Sequence, residues 1–437
     1  MGWAAAAEKT DPLQASRNDP RSGGALNLEA AKAARASGKL PLKGTAPRDI
    51  FHSTVNDPDP CCVVFTQSET TIIDLGGGNL VAAFNDSDSY EGSNHLIGYA
   101  WSNTNGISWK EPGRLPDSTA GDGSDPVLAH HKATNSVYLA TLGFTTNQNI
   151  QVFKSTDGGH TFGAPVNATP GFGSGNFQDK PWLTADNFAG TGNGNIYLCW
   201  TRVGATEDIF LSRSTDGGTT FGPSGGTLIS PGGQGCFVAV SPNHQVNVFY
   251  YRGTGPGGQG GDNKIFVRRS LDLGVTFQPE VQVADLNTMS VNGGLELNGG
   301  LRSNSFPHAA VNPIVARPFI YVAYNDIDPT NPSNKADTFF VKSTDGGTTW
   351  SAPARINDDE PGDQFFPTLA ITGSGNRIMF GYYSRSQDSS NFFYHRRARV
   401  GRLGAAGNIT FSPSFQLSPN TPIVIWSGLY FRPHLHG

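Results

Sequence analysis

Six short segments, each leading into an apolar run, hold much of the chain's candidate chemistry. They read Gln67-Ser-Glu-Thr70, Gly123-Ser-Asp-Pro126, Gln178-Asp-Lys-Pro181, Gln234-Gly-Cys236, Ser305-Phe-Pro307 and Gln364-Phe-Phe-Pro367. Aligned, they give one column of Glu69, Asp125, Lys180, Gly235, Phe306 and Phe366. Two carboxyls and an ammonium in such a column are candidates for proton transfer or for gripping a charged ligand. The plainer reading is a polar lining around a water-filled channel. A second column begins Asn85-Asp86, Thr201-Arg202, Tyr251-Arg252, Asn325-Asp326 and Ser384-Arg385, and Arg302 stands just ahead of the fifth segment. Arginines meeting in one hollow suit a carboxylate, because the guanidinium fork binds it through two parallel hydrogen bonds. Each alone reads equally well as a surface salt bridge or a clamp. Trp182, Tyr250, Tyr251 and Phe306 offer flat faces for sugar rings, or simply core.

Other groups carry weaker signals. The loop from Asn85 to Gly92 gathers Asp86, Asp88 and Glu91, an oxygen set that could hold calcium but lacks the full twelve-residue pattern, so a solvated turn is the simpler reading. His95, His130 and His131 show no metal-ligand spacing, and no cofactor is expected. Gly253 to Gly261 opens no helix, so it is an insertion rather than a phosphate loop. The four cysteines are too few for a disulfide scaffold. The neighbours Cys61 and Cys62 read as free thiols, as one pairing elsewhere, or as a vicinal disulfide.

These residues need a frame, and the chain supplies it by repetition. Ser155-Thr-Asp-Gly-Gly-His-Thr-Phe162 recurs as Ser214-Thr-Asp-Gly-Gly-Thr-Thr-Phe221 and Ser343-Thr-Asp-Gly-Gly-Thr-Thr-Trp350. Ser270-Leu-Asp-Leu-Gly-Val-Thr-Phe277 keeps the skeleton. Ser102-Asn-Thr-Asn-Gly-Ile-Ser-Trp109 puts Thr104 where Asp is expected, and Gly407-Asn-Ile-Thr-Phe411 is a fainter sixth copy. The Asp carboxylate can accept backbone N–H bonds of a tight turn, the glycines permit positive φ, and the aromatic can bury between sheets. Period-2 strands precede each box, as in Lys264-Ile-Phe-Val-Arg-Arg269. Three strands before the box and one after predict a four-stranded unit. Six units predict an all-β, six-bladed β-propeller of antiparallel blades over residues 51–437. Residues 1–50, rich in Ala, charge and Pro, read as an N-terminal arm or linker, partly helical or disordered.

Composition narrows the partners. The 437 residues carry a net charge of −5, so no basic field invites nucleic acid. No apolar run approaches the ~20 residues of a membrane span. The opening Met1 to Ala7 has no basic stretch and is no complete signal peptide.

The boxes resemble the Asp-boxes, or bacterial neuraminidase repeats, of the sialidase superfamily, over roughly residues 60–417. The resemblance implies a six-bladed propeller whose boxes lie on the face away from the active site, with their Asp residues as scaffold. It further implies a secreted, cell-surface or periplasmic glycosidase with an arginine cluster, a Tyr nucleophile helped by a Glu, and an Asp as acid/base. Arg202, Arg252, Arg302 and Arg385 then bind the substrate carboxylate, with Asp125, Lys180, Trp182, Tyr251 and His308 around it. Glu69, Asp86 and Tyr382 or Tyr383 are the catalytic candidates. The Phe/Tyr-Arg-Ile-Pro motif of true sialidases does not stand between residues 51 and 101. The leading expectation is a sialidase-like glycoside hydrolase acting on an acidic glycan as a monomer. A glycan-binding propeller without catalysis is one alternative. A uronate lyase using Arg202, Arg252, Tyr251 and His308 is another.

Overall fold

The computed structural model describes residues 67–86, 95–143, 148–173, 175–253, 262–287, 297–298, 303–330 and 334–417. The arm at 1–50, Cys61, Cys62, Asp88, Glu91, Arg302 and most of the insertion after Gly253 lie outside the described residues.

The chain forms a six-bladed all-β propeller. Blade 1 holds β1 (Gln67–Gly76), β2 (Asn79–Asp86) and β3 (Ile97–Ser102), with a single Trp101–Lys110 bridge where a fourth strand would pair. Blade 2 holds β4 (Val127–His131), β5 (Ser136–Leu142), β6 (Ile150–Ser155) and β7 (Val166–Asn167). Blade 3 holds β8 (Phe177–Ala185), β9 (Ile196–Val203), β10 (Glu207–Ser214) and β11 (Gly222–Ser230). Blade 4 holds β12 (Gln234–Val240), β13 (Val246–Arg252), β14 (Lys264–Ser270) and β15 (Val281–Asp285). Blade 5 holds β16 (His308–Val311), β17 (Ile320–Asp326), β18 (Asp337–Ser343) and β19 (Ala354–Arg355). Blade 6 holds β20 (Gln364–Ile371), β21 (Arg377–Ser384), β22 (His395–Leu403) and β23 (Ile409–Phe411), and β24 (Phe415–Gln416) also pairs with β22.

Every pairing within a blade is antiparallel, and all but that of β24 with β22 follow chain order. The middle strands are buried on both faces, because each blade is covered by its neighbours. That explains runs such as Ile196-Tyr-Leu-Cys-Trp200, which are continuously apolar instead of alternating. Apolar clusters sit between blades. Val81 and Ile97 of blade 1 pack with Val137 and Phe153 of blade 2, and Phe319 and Tyr321 of blade 5 with Ile378 and Phe380 of blade 6.

The boxes join third strand to fourth and repeat their contacts. In blade 3, Ser214 Oγ donates to Asp216 Oδ1 at 2.7 Å and accepts from Gly218 N–H at 2.8 Å. Thr220 donates its N–H to Asp216 Oδ1 at 3.0 Å and its hydroxyl to Oδ2 at 2.6 Å. Blades 2, 4 and 5 repeat this around Asp157, Asp272 and Asp345. In the altered first copy, Thr104 Oγ1 takes over the acceptor role toward Ser108 N–H at 2.9 Å. The closing aromatics Phe162 and Phe221 enter the cores between blades. Neighbours are tied as well, since Tyr138 OH of blade 2 donates to Gly217 O of blade 3 at 3.1 Å. Because strands alternate in direction, the boxes lie at the opposite rim from the start of each first strand.

Candidate functional site

At that opposite rim the sequence column becomes a backbone feature. Glu69, Asp125, Lys180, Gly235 and Phe366 all have positive φ, at 53°, 54°, 50°, 61° and 51°. In blades 1, 3, 4 and 6 the residue sits at a register shift between first and second strands. Left-handed φ is disfavoured for residues with a Cβ, costing about 1 kcal/mol or more each. The bulge also bends the strand and re-aims the side chain, a device common beside active sites. Blade 4 holds Gly235 for a separate reason: a Cβ there would stand 2.1 Å from Phe306 Cγ. The Phe306 ring of blade 5 thus occupies the space of a blade 4 side chain.

Three of these positions, Lys180, Gly235 and Phe366, line a cleft enclosing about 460 Å³, its open side included. Lys180, Trp182, Gly235, Phe237, Phe306 and His308 form one wall, and Asn304, Asn325, Phe366 and Pro367 continue the lining. Trp182, Phe237 and His308 occupy equivalent places on blades 3, 4 and 5, two residues after the column. Trp182 stacks on Phe237 with centroids 4.2 Å apart, and His308 meets the Trp182 edge at 5.3 Å. An aromatic floor with a few polar groups around it suits a ring-shaped polar ligand.

Beside the cleft, blades 1 and 2 contribute a buried carboxyl pair, Glu69 and Asp125. Asn85 holds both. Its Nδ2 donates to Glu69 Oε2 at 2.7 Å and its Oδ1 accepts Asp125 N–H at 2.9 Å. Ser124 Oγ lies 2.5 Å from Asp125 Oδ1 and 3.3 Å from Glu69 Oε2. Burial pushes the Glu69 carboxyl well above the usual range, the adjacent Asp125 pushes it further, and Lys180 and Asn85 pull it partly back. Two buried carboxyls this close oppose each other's ionisation, which is why Asp125 adds to the push on Glu69. The loop carrying Asp125 is anchored through Asp122, which lies 2.6 Å from His95 Nδ1 and accepts the N–H groups of Leu96 and Ile97.

The structure therefore gathers Glu69 with Asp125, and Lys180 with Trp182 and His308. It does not bring Arg202, Arg252 or Arg385 to them. Arg202 pairs with Asp208 and lies over Phe210. Arg252 pairs with Asp262 and Glu280 over Phe266. Arg385 is fully buried against Asp363, with Nη2 donating to Asn298 O. Each serves its own blade and none lines the cleft. Tyr382 donates to Asp359 at 2.8 Å and burial pushes its pKa up, while Tyr383 lies under Arg396. Tyr251 is buried, with its hydroxyl on Asn263, and Tyr250 is buried with its hydroxyl on Glu280. Asp86 closes β2 half-buried, opposite Gln67. No group of His, Cys, Asp or Glu among the described residues is arranged to hold a metal ion.

Two features of the mouth escaped the sequence. Phe237 shares the alignment that carries Trp182 and His308, so its place was available from that column. Cys199 of β9 is disulfide-bonded to Cys236 of β12, joining blades 3 and 4 beside the cleft. A separation of 37 residues gives no pairing rule by itself; the propeller register brings them together.

No protein-family profile matches the chain, and no curated protein matches it in sequence. Among solved structures the chain is similar to a protein of unknown function from Dyadobacter fermentans (16% identity, TM-score 0.47, 74% of this chain and 91% of that one). It is also similar to an α-L-arabinofuranosidase from Fusarium graminearum, solved as a mutant with an iminosugar inhibitor (17%, 0.48, 82% and 97%). A Hadza microbial sialidase is a third (15%, 0.48, 80% and 66%). Likeness at this level says nothing of activity, so function must be argued from the groups at the mouth. No helix among the described residues is long and apolar enough to cross a membrane.

Proposed function

We propose that this propeller is a glycoside hydrolase that takes a sugar unit into the cleft at its bulged rim. The observation that supports this reading is the buried Glu69–Asp125 pair, held on positive-φ backbone beside an aromatic-floored cleft, with Glu69 pushed well above the usual carboxylate range. The pair acts as a single proton donor toward the leaving glycosidic oxygen, as perturbed carboxyl dyads do. Trp182 and Phe237 position the ring by stacking, and Lys180 offers a charge to acidic substituents. The spacing differs from the usual two-carboxylate scheme, in which the carboxyls stand about 5 Å or more apart. The second group needed for that scheme therefore lies outside the pair, with Asp86 and Tyr383 the remaining candidates. The Cys199–Cys236 disulfide supports an oxidising, extracytoplasmic location.

One observation favours a second reading, a glycan-binding propeller without catalysis: the cleft lining contains neither Glu69 nor Asp125. For a uronate lyase, His308 is in place, but Arg202, Arg252 and Tyr251 are engaged away from it. The test is a screen of sialosides, uronic-acid oligosaccharides and neutral glycosides, run on the parent protein, Glu69→Gln and Asp125→Asn. Hydrolysis lost in both variants with binding retained supports the hydrolase. Binding without turnover in all three proteins selects the second reading. Products absorbing in the ultraviolet select the lyase.

A further inference from the structure

Asn85 and Asn325 stand at the same place, in the second strands of blades 1 and 5. Each carbonyl oxygen accepts the N–H of the next blade's column residue, Asp125 at 2.9 Å and Phe366 at 3.2 Å. That fixes which way each amide points, so the NH₂ group of each turns toward its own blade's column residue. In blade 1 that residue is Glu69, which accepts from Asn85 Nδ2. In blade 5 it is Phe306, which has no side-chain acceptor. Asn325 Nδ2 is consequently buried with no hydrogen-bond partner among the described residues, on a side chain that lines the cleft. An unsatisfied buried donor costs about 1–3 kcal/mol. A ligand oxygen reaching it would relieve that cost.

The rest of the lining fits the same need. It includes Lys180 and no Asp or Glu, so the cleft offers donors and positive charge. We infer that Asn325 is a specificity-determining donor and that, with Lys180, it selects a sugar unit bearing a carboxylate. This rests on the glycan reading above and narrows it to acidic sugars, with the clamp asparagine of blade 5 in place of an arginine cluster.

The experiment measures binding of trigalacturonate, a glucuronate-containing trisaccharide and sialyllactose, each against its carboxyl-reduced counterpart, to the parent protein and to Asn325→Asp. The variant keeps an acceptor for Phe366 N–H but exchanges the donor for a carboxyl oxygen, so loss of the donor is told apart from added charge by the crystal structure of the parent. At least one acidic ligand is expected to bind the parent about tenfold or more tighter than its reduced form, and Asn325→Asp to lose that preference. Equal binding of acidic and reduced forms, or an unchanged preference in the variant, overturns the inference and leaves the glycan reading standing. Failure of every ligand to bind the parent overturns both. A crystal structure of the parent with the tightest ligand needs no variant: a ligand oxygen within hydrogen-bond reach of Asn325 Nδ2 upholds the inference, and its absence there overturns it.

Discussion

The two rims of this propeller use repetition in opposite ways. At the box rim, four blades repeat one side-chain arrangement: a Ser, an Asp and a Thr closing the same turn. At the bulged rim, five blades repeat a backbone conformation but carry Glu, Asp, Lys, Gly and Phe on it. The carboxyls at the two rims are also pushed in opposite directions. Burial works against the charge of Asp157, Asp216 and Asp345, but hydrogen bonds from neighbouring hydroxyls and N–H groups win and hold each at about 2. Burial and Asp125 push Glu69 the other way, well above the usual carboxylate range. Uniform side chains mark positions whose job is geometric. Varied side chains on one fixed backbone mark positions where blades have different work.

The largest test of this contrast is Glu69→Gln. If the rim is catalytic, turnover should fall by about 10²–10⁴, the usual worth of general acid catalysis, with the fold intact by circular dichroism. A loss below tenfold would place the acid elsewhere. Next, replacing Cys199 and Cys236 with serine should cost about 3–4 kcal/mol in denaturant unfolding, the loop-closure value for a link of this span. A cost near zero would mean that packing alone holds the cleft wall.

A smaller loss, about 1–2 kcal/mol at neutral pH, is expected for Asp216→Asn, with ligand binding unchanged. Because the folded-state pKa is depressed, this stabilisation is present above the ordinary carboxylate range and fades as pH falls toward about 2. The gap between parent and variant should close over that window.

The smallest effect has the opposite sign. Glu69 has a raised folded-state pKa, so its contribution is full below the ordinary carboxylate range and is lost as pH rises through the folded value. Glu69→Gln should therefore melt slightly above the parent at neutral pH, with the difference vanishing toward acid. A variant that melts lower at neutral pH would show that the carboxyl is ionised and stabilising.

The frame was legible in the sequence because each box is local. Ser214 to Phe221 closes its own turn, and the same residues recur wherever that turn is needed. The column from Glu69 to Phe366 was legible for a related reason, since each segment precedes a first strand. The partners of the arginines were not. Asp208 lies six residues from Arg202, but Glu280 lies 28 from Arg252 and Asp363 lies 22 from Arg385, across loops that carry no repeat. A guanidinium in a column says only that it stands at a strand end; the carboxylate that claims it is chosen by loop geometry. The role of Asn325 was hidden in the same way, because it depends on what Phe306 lacks.

A ring of blades can come apart only where two neighbours part, and the disulfide removes one such joint from the choices. Partial opening of the circle must then begin at a different boundary, so Trp182 and Phe237, on the two blades so tied, should stay face to face until the last stage of unfolding. Tryptophan fluorescence from this pair would accordingly report the end of the process and not its beginning.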